Sequence, residues 1–188
     1  PVYAKDVSKQ NPYWNTYKIN DAGGLDNYNR ANNYFLNILG STDPRLSYFY
    51  SAAKSPKSGV NFYGFDYGHQ ASSDVNDASS SSDVAGTGPG PYSTTGTGKG
   101  IAKGPDMAQW IFPSFESMFL QAEAIQRGAL SGDAKTAYQN AVTESFAWLK
   151  VENATTAAQT YLSGVSNLAN WDTSTKPKLD LILIQKYI

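Results

Sequence analysis

The clearest hydrophobic pattern in the chain lies in residues 115–150, where apolar positions recur every three or four residues. The members of the first stripe share one side of a helix that begins near Ser114: Phe115, Met118, Phe119, Ala122 and Ile125. Gly128 and Gly132 mark the point where this helix must stop, and Asp133 can cap the start of the next. The spacing therefore predicts two helices joined by a short turn.

The second helix of this pair carries a stripe of small and large residues. These are Ala134, Ala137, Tyr138, Ala141, Val142, Ser145, Trp148 and Leu149. An antiparallel helix pair with alanines facing alanines resembles the tetratricopeptide unit of about 34 residues. One clear copy of this unit is present, and we expect it to be the scaffold on which other segments pack.

Shorter elements are predicted on both sides of the pair. A helix of about 10 residues is predicted between Arg30 and Gly40, another ends before Gly164, and a last one begins at Lys178. Residues 1–30 carry many Asn and aromatic side chains without apolar periodicity. We predict that they are extended or looped chain.

Two aromatic-rich stretches and one polar stretch complete the picture. Aromatic residues alternate with small or polar ones in residues 47–52 and 60–67, which predicts strand-like chain and a short β-hairpin. Residues 72–105 are dominated by Ser, Gly, Thr, Asp and Pro, and nothing in them is expected to form a packed core. We interpret them as a functional surface loop or as a segment ordered by something else.

Composition limits the classes of function. The 188 residues suffice for one medium domain or for part of a larger one. The 15 Lys and Arg against 16 Asp and Glu include no basic run, so nucleic acid is not expected as a partner. Zero Cys excludes disulfides and Cys-ligated zinc in this segment. The 13 Tyr are typical of binding surfaces, although packing can also use them.

The two ends of the sequence indicate a piece of a longer protein. The chain starts without Met, and it ends inside LDLILIQKYI, an apolar-rich run with no helix stop signal. It shows neither a signal-peptide pattern nor an apolar run that approaches the ~18 residues of a membrane span.

The sequence gives little support for a catalytic site, a metal site or a phosphate-binding site. Residues 86–104 lack the strand and the GK[ST] ending of a phosphate loop. His69 is the single histidine, which excludes a His-rich metal site, and its pairing with Asp66 would by itself show no function. Spacing singles out no pair of carboxylates, and Glu123 four residues before Arg127 favours a helix-surface ion pair. We expect no metal, no cofactor and no catalytic residue.

Sugar recognition fits the loops better. It uses flat aromatic rings against the C–H faces of a pyranose, together with Asn, Asp, Arg or Tyr groups that bond to hydroxyls. The loops combine these residue types. The candidate platforms are Trp14, Tyr63, Tyr67 and Tyr92, and for each one the alternative role is packing or a solvated loop position.

Several stretches resemble the SusD/RagB family of outer-membrane nutrient-binding lipoproteins. The most specific are RANNYFLNIL followed by DPRL, then FLQAEAIQRG with AYQNAVTES, and finally IQKYI. Their order and approximate spacing both fit. The resemblance covers nearly the whole chain except the Ser/Gly-rich loop at 72–105, and it implies one incomplete domain of this kind over residues 1–188.

The resemblance implies a mainly α protein with tetratricopeptide-like helical hairpins and with irregular loops that carry the ligand site. It also implies a lipid anchor at the cell surface, N-terminal to this chain, and a SusC-like TonB-dependent transporter as the partner to which oligosaccharides or peptides are passed. No catalysis is implied. The ligand residues of the family form no fixed motif, so none is carried over to a position of this sequence.

Two alternatives stay open. In the first, the main role of the chain is to dock a peptide or the transporter, with the helix pair as a protein-interaction scaffold. In the second, the chain is a surface glycan hydrolase of the same uptake system, which would require a pair of working carboxylates.

Overall fold

A computed structural model describes residues 2–56, 59–68, 79–90 and 92–188. The described chain forms these α-helices: α1 (Pro12–Tyr17), α2 (Asn33–Leu39), α3 (Leu46–Phe49), α4 (Ser114–Gln126), α5 (Ala134–Trp148), α6 (Ala154–Ser163) and α7 (Lys178–Tyr187). Within those residues, extended chain pairs only in isolated bridges and builds no strand. The predicted mainly α fold is confirmed. No helix of the described chain combines the length and the apolar character that membrane crossing requires.

The chain divides into two compact units, Pro1–Gln109 and Trp110–Ile188. The first contains α1 to α3 and long irregular segments, and the second contains α4 to α7. That residues 1–188 form one incomplete domain stays a prediction.

The predicted helix pair forms the centre of the second unit. α4 begins at Ser114 and buries Phe119 and Ala122 of the predicted stripe. The Asp133 carboxylate accepts the Thr136 N–H at 2.7 Å and so caps α5 as predicted. Gly128 has a φ of 77°, a left-handed conformation that suits glycine at the end of a helix.

The remaining helices of this unit pack on the pair, α6 against α5 and α7 against α4. One carboxylate joins two of these elements. Glu123 on α4 accepts from Arg127 Nε at 2.9 Å and from Lys186 Nζ of α7 at 2.6 Å. The predicted Glu123–Arg127 pair is therefore confirmed, and it is part of a three-residue network.

In the first unit, α1 forms where the sequence predicts looped chain. Asn11 explains the helix, because its side-chain oxygen accepts the N–H groups of Tyr13 at 2.8 Å and Trp14 at 3.4 Å. Pro12 occupies the first helical position, where its missing N–H and fixed φ cost nothing. The six residues of α1 are too few to show periodicity, so the capping residues carry the only sequence signal.

The strand predicted at residues 47–52 is wrong, because its first half is the helical turn α3. Asp43 initiates this turn by accepting the Arg45 N–H at 2.8 Å. The same carboxylate binds the Arg45 guanidinium, with Oδ1 at 3.1 Å from Nε and Oδ2 at 2.7 Å from Nη2. Both side chains are fully buried. Within the DPRL motif, Asp43 and Arg45 thus form a buried bidentate ion pair that fixes the start of α3.

The β-hairpin predicted at residues 60–67 is also wrong for the described chain. Phe65 makes a single parallel bridge with Asn32, and its backbone bonds are with Ala31 and Asn33 at 2.9 Å each. Phe65 therefore pairs with the residues at the start of α2, and not with a neighbouring strand of a hairpin. A Cβ on Gly64 would lie 2.5 Å from the Ala31 carbonyl oxygen, and only glycine permits this approach.

The expectation that residues 72–105 contain nothing able to form a core is wrong for their described part. Ser80, Ser81, Ser82, Asp83, Ala85 and Thr87 are buried. The backbone of this segment bonds to flanking chain on both sides: Ser82 N–H donates to Tyr63, and Ser82 C=O accepts from Ala31, both at 2.8 Å. Small side chains allow this close packing, so the backbone itself fills the core of the unit.

A buried ion pair connects this segment to α1 and α3. The Lys18 ammonium lies 3.3 Å from Asp83 Oδ2, 2.7 Å from Ser51 Oγ and 3.0 Å from the Ala85 carbonyl oxygen. The side chains of Lys18 and Asp83 are at most 1% exposed. Burial lowers the pKa of Lys18, and attraction to Asp83 opposes that shift.

We predict that Asp83→Asn lowers the free energy of unfolding of the first unit by about 3–5 kcal/mol, because it leaves the Lys18 ammonium buried without its counter-charge. Pulse proteolysis across a urea series measures the change. Asp172→Asn is the control for an exposed pair, because Asp172 pairs with Lys135 at 2.8 Å on the surface of the second unit and its loss should lower the free energy of unfolding of that unit by less than about 1 kcal/mol. Equal losses in the two variants would contradict a structural role for the buried pair.

A second prediction concerns pH. Hydrogen bonds from Lys186 and Arg127 lower the pKa of Glu123 below its ordinary value of 4.5. The stabilisation is therefore complete above that value and is lost as the pH falls through the lowered one. We expect Glu123→Gln to reduce the urea midpoint near neutral pH and to match the parent chain in strong acid. The exposed Glu116→Gln is the control, with a smaller difference at neutral pH. A Glu123→Gln deficit that persists unchanged in acid would rule out the ionic contribution.

Candidate functional site

The first unit contains a concavity of about 570 Å³ between α2 and residues 60–66. This size falls in the range of small-molecule sites. Polar lining comes from Asn33 and Asn37 of α2 and from Asn61 and Asp66 of the opposite wall, and the aromatic rings of Phe62 and Tyr63 lie on that wall too.

Asn33 holds the two walls of this concavity together. Its side-chain oxygen accepts the Gly64 N–H at 3.1 Å, and its side-chain nitrogen donates to Asp66 Oδ1 at 3.0 Å. Its backbone N–H donates to Phe65 at 2.9 Å. Residues 64–66 are therefore fixed to the first turn of α2.

The exposed polar side chains of the concavity are amides, one carboxylate and the Ser41 hydroxyl. Asn37 and Asn61 are exposed, and Asp66 is exposed while Asn33 bonds to one of its oxygens. Among the lining residues that the structure describes, no Lys, Arg or His occurs and Asp66 is the single acid. Half-buried aromatic rings beside amide and carboxylate groups suit a ligand with apolar C–H faces and many hydroxyls.

A family model described as "Starch-binding associating with outer membrane" matches residues 4–188. The chain belongs to the SusD-like family. The resemblance to SusD/RagB proteins is thereby confirmed over nearly the whole sequence. This is a family of carbohydrate-binding proteins associated with the outer membrane. A comparison with curated proteins finds no match.

The SusD-like chain places its predicted platforms in different surroundings. Tyr63 is half-buried and lines the concavity, and Tyr67 is 99% exposed one residue after Asp66. Trp14 is only 2% exposed and packs with Ala85 and Ala102 in the core. Its remaining exposed part faces a separate concavity of about 460 Å³. Tyr63 and Tyr67 thus lie on one loop, and Trp14 lies elsewhere.

Tyr92 belongs to the surroundings of the buried ion pair. Its ring centroid lies 4.4 Å from Lys18 Nζ and 4.7 Å from Lys54 Nζ, which are cation–π distances. Burial raises the pKa of Tyr92, and the nearby Asp83 carboxylate raises it further. The hydroxyl therefore stays protonated at neutral pH. Ammonium groups at this ring compete with a sugar for its faces.

Sequence reasoning missed the asparagines of this site. Asn33 and Asn37 are four positions apart, which puts them on one side of α2, and they precede the aromatic stretch that contains Asn61 and Tyr63. The spacing of the two asparagines is the sequence signal that could have identified this wall of the site. His69, and with it the question of its pairing with Asp66, lies outside the described residues. Within them, no group of three or more Asp, Glu or His could hold a metal ion.

Asn33→Ala should lower the free energy of unfolding of the first unit by about 1–3 kcal/mol, because the Gly64 N–H and the Asp66 carboxylate lose their partner. Asn37→Ala, on the same helix but exposed, should change it by less than about 0.5 kcal/mol. Urea denaturation of the two variants gives both values. If both changes are equal and small, Asn33 does not hold the walls together.

Proposed function

We propose that this chain is the substrate-binding part of a cell-surface lipoprotein that captures oligosaccharides and passes them to a TonB-dependent outer-membrane transporter. The observation that carries the proposal is the concavity at Tyr63, where the aromatic rings share one wall with Asn61 and Asp66, and Asn37 lies on the α2 wall. The family match adds carbohydrate binding and association with the outer membrane.

In this proposal, a sugar ring lies against the Tyr63 ring while its hydroxyls bond to Asn37 on the α2 wall and to Asn61 and Asp66 on the wall of the ring itself. Asn37 and Asn61 each offer donors and an acceptor, and the second oxygen of Asp66 accepts. Tyr67 follows Asp66 in the chain and is exposed, so its ring supplies a further platform for a longer oligosaccharide.

The proposed protein binds its ligand and does not cleave it. Hydrolysis of a glycosidic bond by the usual route needs two carboxyl groups on opposite sides of the bond. Asp66 is the only carboxylate among the described lining residues. An acid without a second acid fits hydrogen bonding to a hydroxyl better than catalysis.

Isothermal titration of the full-length protein with a panel of oligosaccharides, malto-oligosaccharides included, tests the proposal. We expect Tyr63→Ala to weaken binding of the preferred glycan about tenfold or more, which corresponds to ~1.4 kcal/mol. Tyr28→Ala is the control, because Tyr28 is 94% exposed and does not line the concavity.

The panel also includes peptides. If peptides bind and no glycan does, the substrate class is wrong. If glycans bind and Tyr63→Ala leaves the affinity unchanged, the assignment of the concavity is wrong. Copurification of the lipid-anchored full-length protein with a TonB-dependent transporter tests the proposed transfer.

A further inference from the structure

The concavity at Tyr63 carries one formal charge among its described lining residues, the carboxylate of Asp66. The other polar groups of this lining are uncharged amides and hydroxyls. A site for an acidic ligand normally supplies Arg or Lys, because charge-assisted hydrogen bonds from a cation offset the lost hydration of the anion. The described lining supplies neither, and its single charge has the same sign as that of an acidic sugar.

The Asp66 carboxylate is held in place on its wall. Asn33 Nδ2 donates to Asp66 Oδ1 at 3.0 Å, and the oxygen of the same Asn33 side chain accepts the Gly64 N–H at 3.1 Å. None of the ion pairs within the described residues includes Asp66. Its negative charge is therefore fixed at the concavity without a neutralising partner in that part of the chain.

The described basic side chains that flank the lining residues along the sequence have contacts elsewhere. Arg45 is fully buried and is held by the Asp43 carboxylate at 2.7 Å. Lys54 Nζ lies 4.7 Å from the centroid of the Tyr92 ring, and Arg30 donates to a backbone carbonyl at 2.5 Å. These contacts direct the three positive charges away from a ligand in the concavity.

The size of the concavity keeps a bound ligand close to this charge. A volume of about 570 Å³ corresponds to a space about 10 Å across, which is also about the Debye length at 0.1 M salt. A charged group on a sugar ring that occupies this space therefore lies within reach of the Asp66 field. Salt at that concentration screens the interaction only in part.

We propose that Asp66 makes the concavity selective for uncharged glycans and excludes sugars that carry a carboxylate or a sulfate. The inference rests on the proposed binding of glycans at this site, and it adds which class of glycan is rejected. A neutral sugar donates a hydroxyl proton to the carboxylate, whereas an acidic sugar brings a second negative charge beside it. Asn37 and Asn61 can donate N–H groups to either kind of sugar, so Asp66 makes the difference.

Isothermal titration of the full-length protein with matched glycans tests this inference. The probes are the neutral glycan of the panel that binds most tightly, with maltoheptaose as the first one tested, and the same glycan with its primary hydroxyls oxidised to carboxylates. The two members of such a pair share the ring and the linkage and differ in charge. We expect the acidic member to have a dissociation constant higher by about tenfold or more.

Asp66→Asn is the decisive variant, because it removes the charge and keeps the side-chain oxygen that accepts from Asn33. The measured quantity is the ratio of the two dissociation constants, acidic over neutral, which should fall toward one in this variant. Asp21→Asn is the matched control, because Asp21 is an exposed acid of the same unit that does not line the concavity. It changes the net charge equally and should leave the ratio as it is.

Salt gives a second readout that a purely structural role of Asp66 would not move. Raising the salt concentration from about 0.01 M to about 1 M shortens the Debye length from about 30 Å to about 3 Å. The ratio should therefore shrink with salt in the parent chain and in Asp21→Asn, and it should respond little in Asp66→Asn. Circular dichroism checks that each variant is folded.

Three results overturn the inference while the proposed function stands. In the first, the acidic glycan binds the parent chain as tightly as its neutral partner. In the second, the ratio is as large in Asp66→Asn as in the parent chain. In the third, Asp21→Asn lowers the ratio as much as Asp66→Asn does. If no glycan binds, neutral or acidic, the proposed function fails and this inference fails with it.

Discussion

The contact between the Lys18 ammonium and the Asp83 carboxylate is the interaction on which the irregular unit depends. Removing two charges from water costs several kcal/mol for each ion, so such a pair is tolerated only when its other hydrogen bonds are made. Ser51 and the Ala85 carbonyl complete those bonds for Lys18. The pair thereby sets the position of the 79–90 segment, and the Ser82 backbone in that segment bonds to both Tyr63 and Ala31. The segment that this charge pair holds thus bonds directly to Tyr63, on one wall of the candidate site.

The two units differ in how far their sequence predicts them. In α4 and α5, side chains do the packing, so the apolar spacing predicts the helices, the cap at Asp133 and the ion pair at Glu123. In the first unit, capping and backbone contacts decide the structure. Pattern reasoning predicted a strand where the Asp43–Arg45 pair builds a helical turn, because a buried charge pair leaves no periodic signal.

The candidate site, too, is predictable from the sequence only in part. The aromatic stretch and Tyr63 could be predicted from residue types, since sugar recognition needs flat rings. The partnership of that stretch with α2 could not, because it depends on Gly64 meeting the Ala31 carbonyl and on the two bonds of the Asn33 side chain. Contacts of this kind join residues about 30 positions apart, and no local sequence pattern predicts them.

The buried Ser/Gly/Ala segment has a consequence for how linkers are identified in a sequence and shortened by protein engineering. A low-complexity composition indicates disorder only where burial must come from large side chains. In residues 80–87 the main chain supplies it, and a Cβ on Gly86 would lie 2.5 Å from the Tyr48 carbonyl carbon. A stretch that a protein engineer would shorten first, or choose for a tag insertion, is therefore part of the core of its unit, and Gly86 sets how closely its backbone approaches that of Tyr48.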